Sequence, residues 1–383
     1  MAQLRGMAWD HVRAVAPMRA ATEDFQSARP GVTISWEARS LKDFEDYPIE
    51  PLAENYDLVL MDHPFVGTAA EKRILVPLDE WLPAEYMSDQ QENSVGPSYD
   101  SYTWGGHQWA LAVDAAAQVS AYRPDLLEGA GATPPRTWDE VFELIAALPD
   151  QMVGMTLNPT HAYCCFLALC TSIGGRGFWD DSGISPEVGR ESLDFLRRLL
   201  PLVHERSTEM SPIRLLDTMS RGDEVAYVPL TFGYSNYSRA DFAPHLVRFT
   251  DIPRTHGEPV GGVLGGVGLV VSSSSRHKQE AVDFAAYVGS RDFQRGRYFE
   301  SGGQPGHRAA WTDAHVNQQS NTFFEGTLRS LDFAYMRQRK PGYNAFQEQA
   351  GKIVHEFLRD GGDSKEVVRI LNRLYTECCG IDV

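Results

Sequence analysis

The chain has 383 residues, 43% hydrophobic and 11% aromatic, which excludes a disordered polymer and is too long for one ordinary core. Lysine and arginine number 35 against 52 aspartates and glutamates, a formal charge of −17 with no compensating basic stripe, so a phosphate backbone would be repelled and no nucleic-acid partner is expected. No run of about 18 apolar residues occurs, so no segment reads as membrane-spanning.

Strand and helix patterns alternate along the chain. Residues 4–8 read as a first strand and 18–28 as the helix after it. Pro30-Gly31 turns into a second strand at 32–37, a polar, proline-broken helical stretch follows, and 58–61 is a third strand. Gly105-Gly106 is a turn, and 109–113 and 115–122 are two short apolar runs read as strands. Thr137, with Glu140 three residues later, forms a capping box for an apolar helix to Leu148. Beyond it, 153–157 reads as a strand, 163–173 as an apolar helix and 187–203 as an amphipathic one. A strand at 225–229 leads into the polar-aromatic loop 231–238; 267–272 is a strand and 278–289 a helix, and 345–358 and 365–375 close the chain as helices. The five cysteines, Cys164-Cys165, Cys170 and Cys378-Cys379, are odd in number and lack CxxC spacing, so they read as apolar packing residues.

Taken together, the order of elements from Ser101 to Leu148 resembles the crossover region of family-1 extracellular solute-binding proteins, the carbohydrate-binding components of ABC importers. Leu75-Val76-Pro77-Leu78-Asp79-Glu80-Trp81-Leu82-Pro83 is similar to that family's segment after the third strand. Gly265 to Ser272 with Lys278 to Phe284, Gly302-Gly303-Gln304-Pro305 with Arg308 to Trp311, and the final helices follow in the family's order. The resemblance implies an α/β chain with the type II periplasmic-binding-protein fold: two doubly wound lobes, crossing hinge strands and a ligand cleft that closes around a bound solute. The lobes are expected at 1–112 with 254–312 and at 113–253 with 313–383, the C-terminal helices packing on the second. It also implies a monomer outside the cytoplasm, in the periplasm or at the cell surface, with the permease subunits of an importer as partner. Residues 1–8 carry no legible secretory leader, which leaves either a mature chain or one that stays in the cytoplasm.

Ligands of α/β sheets bind at the C-terminal ends of strands. Those positions carry Trp9, Asp10 and His11, then Arg39 and Ser40, then Asp62 and His63, with Asp114 in the crossover. The second lobe offers Asn158, Phe232, Tyr234 and Asn236; Gly265 and Arg308 complete the set. Carboxylate, amide and guanidinium groups match sugar hydroxyls, and Trp9, Phe232 and Tyr234 supply platforms for a ring face. A plainer reading makes Asp10 and Asp62 caps of the helices that follow their strands. An alternative function uses Asp10-His11 and Asp62-His63 as general acid and base or as metal ligands, in a cytoplasmic enzyme or sensor. No GxxxxGK[ST], GxSxG or HExxH motif occurs, and no cofactor is called for.

Overall fold

A computed structural model of the chain describes residues 1–40, 43–44, 48–255 and 257–380. Positions 41, 42 and 45–47 of the polar stretch after the second strand lie outside the described residues. Two compact units emerge: Met1–Ala116, Gly265–Asn317 and Arg337–Pro341 form the first, and Ala117–Leu264, Gln318–Met336 and Gly342–Val383 the second. The chain thus changes unit at 116/117 and 264/265, not at 112/113 and 253/254, and it revisits the first unit at 337–341. The reason lies in one strand. A single strand, Leu111–Tyr122, takes the place of the two runs read at 109–113 and 115–122, and the small residues Ala115, Ala116 and Ala117 carry no break within it.

In unit 1, the strands β1 (Ala2–Trp9), β2 (Val32–Arg39) and β3 (Leu58–Met61) are parallel, with β1 between the other two. The return strand Leu264–Val271 runs antiparallel to β3, with Gly268 opposite Met61 and Val271 opposite Leu58. A hairpin of β4 (Thr103–Trp104) and β5 (His107–Gln108) turns at Gly105-Gly106 and leads into β6 (Leu111–Tyr122). Successive residues of a strand face opposite sides of the sheet. Leu58 and Leu60 accordingly join one core with Ala14, Met18 and Phe25 of the helix Val12–Ala28 and Phe284 of the helix Lys278–Gly289. Val59 and Met61 join another with Leu52, Val66 and Trp109. The strand ends that follow β1, β2 and β3 are therefore held by a sheet covered on both faces.

Unit 2 is built around the helix Pro159–Gly174, whose residues Ala162 to Cys170 are all buried, Cys164, Cys165 and Cys170 among them. The C-terminal helices Tyr343–Asp360 and Ser364–Cys379 pack in the same core through Phe346, Val354, Leu371 and Tyr375. The strand Tyr227–Phe232 pairs antiparallel with the second half of β6, Gln118 opposite Phe232. Thr137 caps the helix Trp138–Ala147 by accepting the Glu140 N–H at 3.2 Å, while Glu140 accepts from the Arg136 N–H at 2.6 Å. The strand expected at 153–157 does not form. Val153 makes a single bridge to Tyr227, whose carbonyl accepts the Gly154 N–H at 2.8 Å, and the chain then turns away, Met155 N–H donating to the Ser207 hydroxyl and Leu157 N–H to the Ser207 carbonyl.

Candidate functional site

The C-terminal edge of β1 and β2 in unit 1 brings several expected residues together. Parallel register sets Trp9 opposite Arg39, and the Asp10 N–H donates to the Arg39 carbonyl at 2.7 Å. The Trp9 ring lies 5.2 Å from Phe44, and the Arg39 guanidinium sits 5.4 Å from the same phenyl ring. Trp9 is only 4% exposed, and its Nε1 has no hydrogen-bond partner among the described residues. Asp10 is exposed and is not the helix cap; His11 caps Val12–Ala28, its Nδ1 accepting the Arg13 N–H at 3.1 Å. Ser40 makes a local turn, donating to Asp43 Oδ2 at 2.7 Å and accepting the Asp43 N–H at 3.1 Å.

At the end of β3, Asp62 does cap the turn that follows, Oδ1 accepting the His63 N–H at 2.8 Å. Its second oxygen accepts from Arg337 Nη2 at 2.7 Å. Burial would raise the Asp62 carboxyl, but the Arg337 cation and His63 outweigh it and hold the group at about 2. His63 is fully buried, with Nδ1 3.1 Å from Asp62 Oδ1. Burial, reinforced by Arg337, holds its imidazole at about 4. His11 is likewise held at about 4 by burial and by Arg13. At neutral pH the edge thus presents an ionised carboxylate beside neutral imidazoles, a set able to accept and donate hydrogen bonds. Among the described residues, no group of three or more His, Cys, Asp or Glu side chains is placed to hold a metal ion.

Asp114 has a different role from the one its sequence position suggests. Both carboxylate oxygens are engaged by Arg13, Nε to Oδ2 at 2.7 Å and Nη2 to Oδ1 at 2.5 Å, and neither side chain is more than 4% exposed. Burial raises the Asp114 carboxyl although Arg13 opposes the shift. A ligand hydroxyl would have to compete with a buried, bidentate ion pair, so Asp114 tethers β6 to the first helix. Gly265 opens the unit 1 part of the return strand, next to Gly266 at φ +89°, where a Cβ would stand 2.3 Å from the Asp114 carbonyl oxygen. That glycine admits a neighbouring strand. Arg308 starts the short helix Arg308–Trp311 and donates its N–H to the Asn93 carbonyl at 2.6 Å.

Unit 2 has its own cluster. Asn158 precedes the helix Pro159–Gly174, and its Oδ1 lies 2.7 Å from His161 Nδ1; the His161 ring meets Phe232 edge-on at 5.8 Å. Phe232 ends its strand, and Tyr234 and Asn236 follow in the buried turn Ser235–Ser238 and its approach. Thr231 Oγ1 is buried without a hydrogen-bond partner among the described residues. The sequence reading missed Arg13 and Arg337. Arg13 interrupts the apolar face of an early helix, which is a legible signal; Arg337 stands in a short polar stretch, RQRKP, with nothing local to mark it as buried.

A profile described as a bacterial extracellular solute-binding protein matches residues 20–312. A maltotriose-binding protein of Pyrococcus abyssi (strain GE5 / Orsay) is 24% identical over 172 residues, 44% of this chain and 35% of its own; the match spans about a third of that relative's length. Maltose-bound MalE3 of T. maritima superposes with a TM-score of 0.83 at 19% identity, covering 97% of this chain and 98% of that one. A ribitol-bound ABC-transporter solute-binding protein of Agrobacterium radiobacter K84 gives 0.83 at 18% identity, over 99% and 98%. These likenesses show that the fold is that of periplasmic sugar-binding proteins over nearly the whole chain. Among the described residues, no helix is long and apolar enough to cross a membrane.

Proposed function

Because the chain belongs to the bacterial extracellular solute-binding protein family, we propose that it reversibly binds a carbohydrate or polyol outside the cytoplasm and delivers it to the permease of an ABC importer. One observation carries this reading. Buried polar atoms with unspent hydrogen-bonding capacity among the described residues, Trp9 Nε1 and His63 Nε2 in unit 1 and Thr231 Oγ1 in unit 2, occur at or just beyond strand ends. An unmade hydrogen bond in a buried place costs about 1–3 kcal/mol, and a polyhydroxylated solute offers both donors and acceptors at close spacing. The ionised Asp62, already accepting from the His63 N–H and Arg337, keeps lone pairs for a hydroxyl, and the Trp9 indole adds its N–H as a donor. Maltose, maltotriose and ribitol, named for the relatives, share that chemistry and support the class.

The test is a thermal-shift and calorimetric screen of the purified chain against maltose, maltotriose, ribitol and divalent metals, each metal repeated with chelator. At 100 times its dissociation constant a solute adds about 2.7 kcal/mol to stability. A saturable shift with a sugar or polyol supports the reading. A shift with metal alone, erased by chelator, overturns it in favour of the Asp-His pairs as a metal site.

A further inference from the structure

A second feature of unit 1 lies apart from the strand ends. The hairpin β4–β5 and the chain from Ala70 to Glu80 enclose a groove of about 710 Å³, lined by Glu71, Arg73, Glu80, Trp104, His107 and Trp109 among others. Its aromatic rings are fixed from behind. The Arg339 guanidinium lies 5.8 Å from the Trp104 ring centre and is itself anchored by donating to the carbonyls of Asp100 at 2.7 Å, Ser101 at 3.2 Å and Thr103 at 2.8 Å. Trp109 Nε1 donates to the Trp104 carbonyl at 2.9 Å. His107 stands edge-on to Trp109 at 6.0 Å, with Nδ1 3.0 Å from Asp79 Oδ2. By contrast, the Glu71 carboxylate and the Arg73 guanidinium make no ion pair or side-chain hydrogen bond among the described residues. Arg73 also holds φ at +52°, just past the helix Val66–Glu71, where glycine is the usual and less strained residue. An arginine keeps a position whose backbone disfavours it, beside an uncommitted carboxylate and two immobilised indoles.

We propose that this groove is a second, weaker binding site for a saccharide ring, separate from the strand-end site. The Trp104 indole would stack on the ring's apolar face, with the exposed edge of Trp109 beside it, while Glu71 and Arg73 take hydroxyls through their planar, bidentate groups. The pre-ordered rings spare part of the entropy of binding, and exposure keeps the affinity modest. The inference does not rest on the function proposed above, because its residues are different ones.

The experiment uses the full chain labelled with 15N-tryptophan, titrated with maltotriose and with cellotriose to millimolar concentrations. Trp104→Phe and Trp109→Phe assign the two indole Nε1–H resonances. The expected result is a saturable movement of both resonances with at least one trisaccharide. Arg73→Gly, which suits the left-handed backbone and so keeps the fold, combined with Glu71→Gln should weaken that event about tenfold or more. The same double variant should leave any tighter calorimetric event unchanged, and Asp62→Asn should weaken only the tighter one. Resonances that stay still with both sugars, or an indole response of equal affinity in the Arg73→Gly/Glu71→Gln protein, would overturn the second site. Absence of any tighter calorimetric event in the unsubstituted chain counts against the strand-end reading and leaves the groove standing.

Discussion

Arg337 and His63 determine what Asp62 can do, and each yields a measurable consequence. Asp62→Ala would take a carboxylate away from a guanidinium whose side chain is 5% exposed, so it should cost about 3 kcal/mol of fold stability besides any binding. Asp62→Asn keeps an acceptor for Arg337 and should unfold at a higher urea midpoint than the alanine variant, while still weakening a bound solute by about 1–3 kcal/mol. Equal midpoints for the two variants would show that the pair contributes little to folding. His63 gives a pH signature. Its folded value of about 4 lies below the ordinary 6.5, so the unfolded chain takes up the proton first. The stability due to neutral His63 is therefore complete above pH 6.5 and is lost as pH falls towards 4, about 3 kcal/mol in all. His11, also held at about 4, acts over the same window, and Asp62 adds a further loss only between 3.8 and about 2. Urea unfolding at pH 7 and pH 4.5 should show the decline, and His63→Gln should reduce it by roughly half; an unchanged decline would mean that His63 is not held neutral by the fold.

Elements whose pattern is local were legible in the residues. The helix Lys278–Gly289 and the strand Leu58–Met61 match the positions read from periodicity, and Thr137 caps its helix, although Glu140 reaches the Arg136 N–H and not that of Thr137. Thr137→Ala should accordingly cost about 1 kcal/mol, measured by urea unfolding, since only one helix amide loses its acceptor. Elements whose partners are distant were not legible. Residues 153–157 carry an apolar run suited to a strand, yet the Met155 and Leu157 amides are taken by Ser207, about 50 positions away, and the ladder ends after one bridge. Gly266 belongs to the same class. Nothing local marks what it faces, and the space around it is closed by the Asp114 carbonyl. Gly266→Ala places a Cβ against a backbone atom at positive φ, and it should destabilise the fold by about 2 kcal/mol or more; a mild effect in thermal unfolding would show that the two strands can part at little cost.

At the scale of the molecule, 383 residues divide into two units, and the chain passes between them more than twice, through β6, the return strand and the segment 337–341. The formal charge of −17 is compatible with a partner that is a neutral solute, and it adds no attraction for an anionic one. What the sequence by itself determined was the alternation of elements, the α/β class, the family, and the strand ends where polar and aromatic residues gather. These follow from periodicity and turn chemistry, which act over a few neighbouring residues. Only the tertiary structure decided which of those side chains remain available. Asp114 is bound on both oxygens by Arg13, 101 positions earlier, and Asp62 is held ionised by Arg337, 275 positions later. Charge pairing in a buried place depends on distance in space and on exclusion of water, and no spacing along a chain encodes either one.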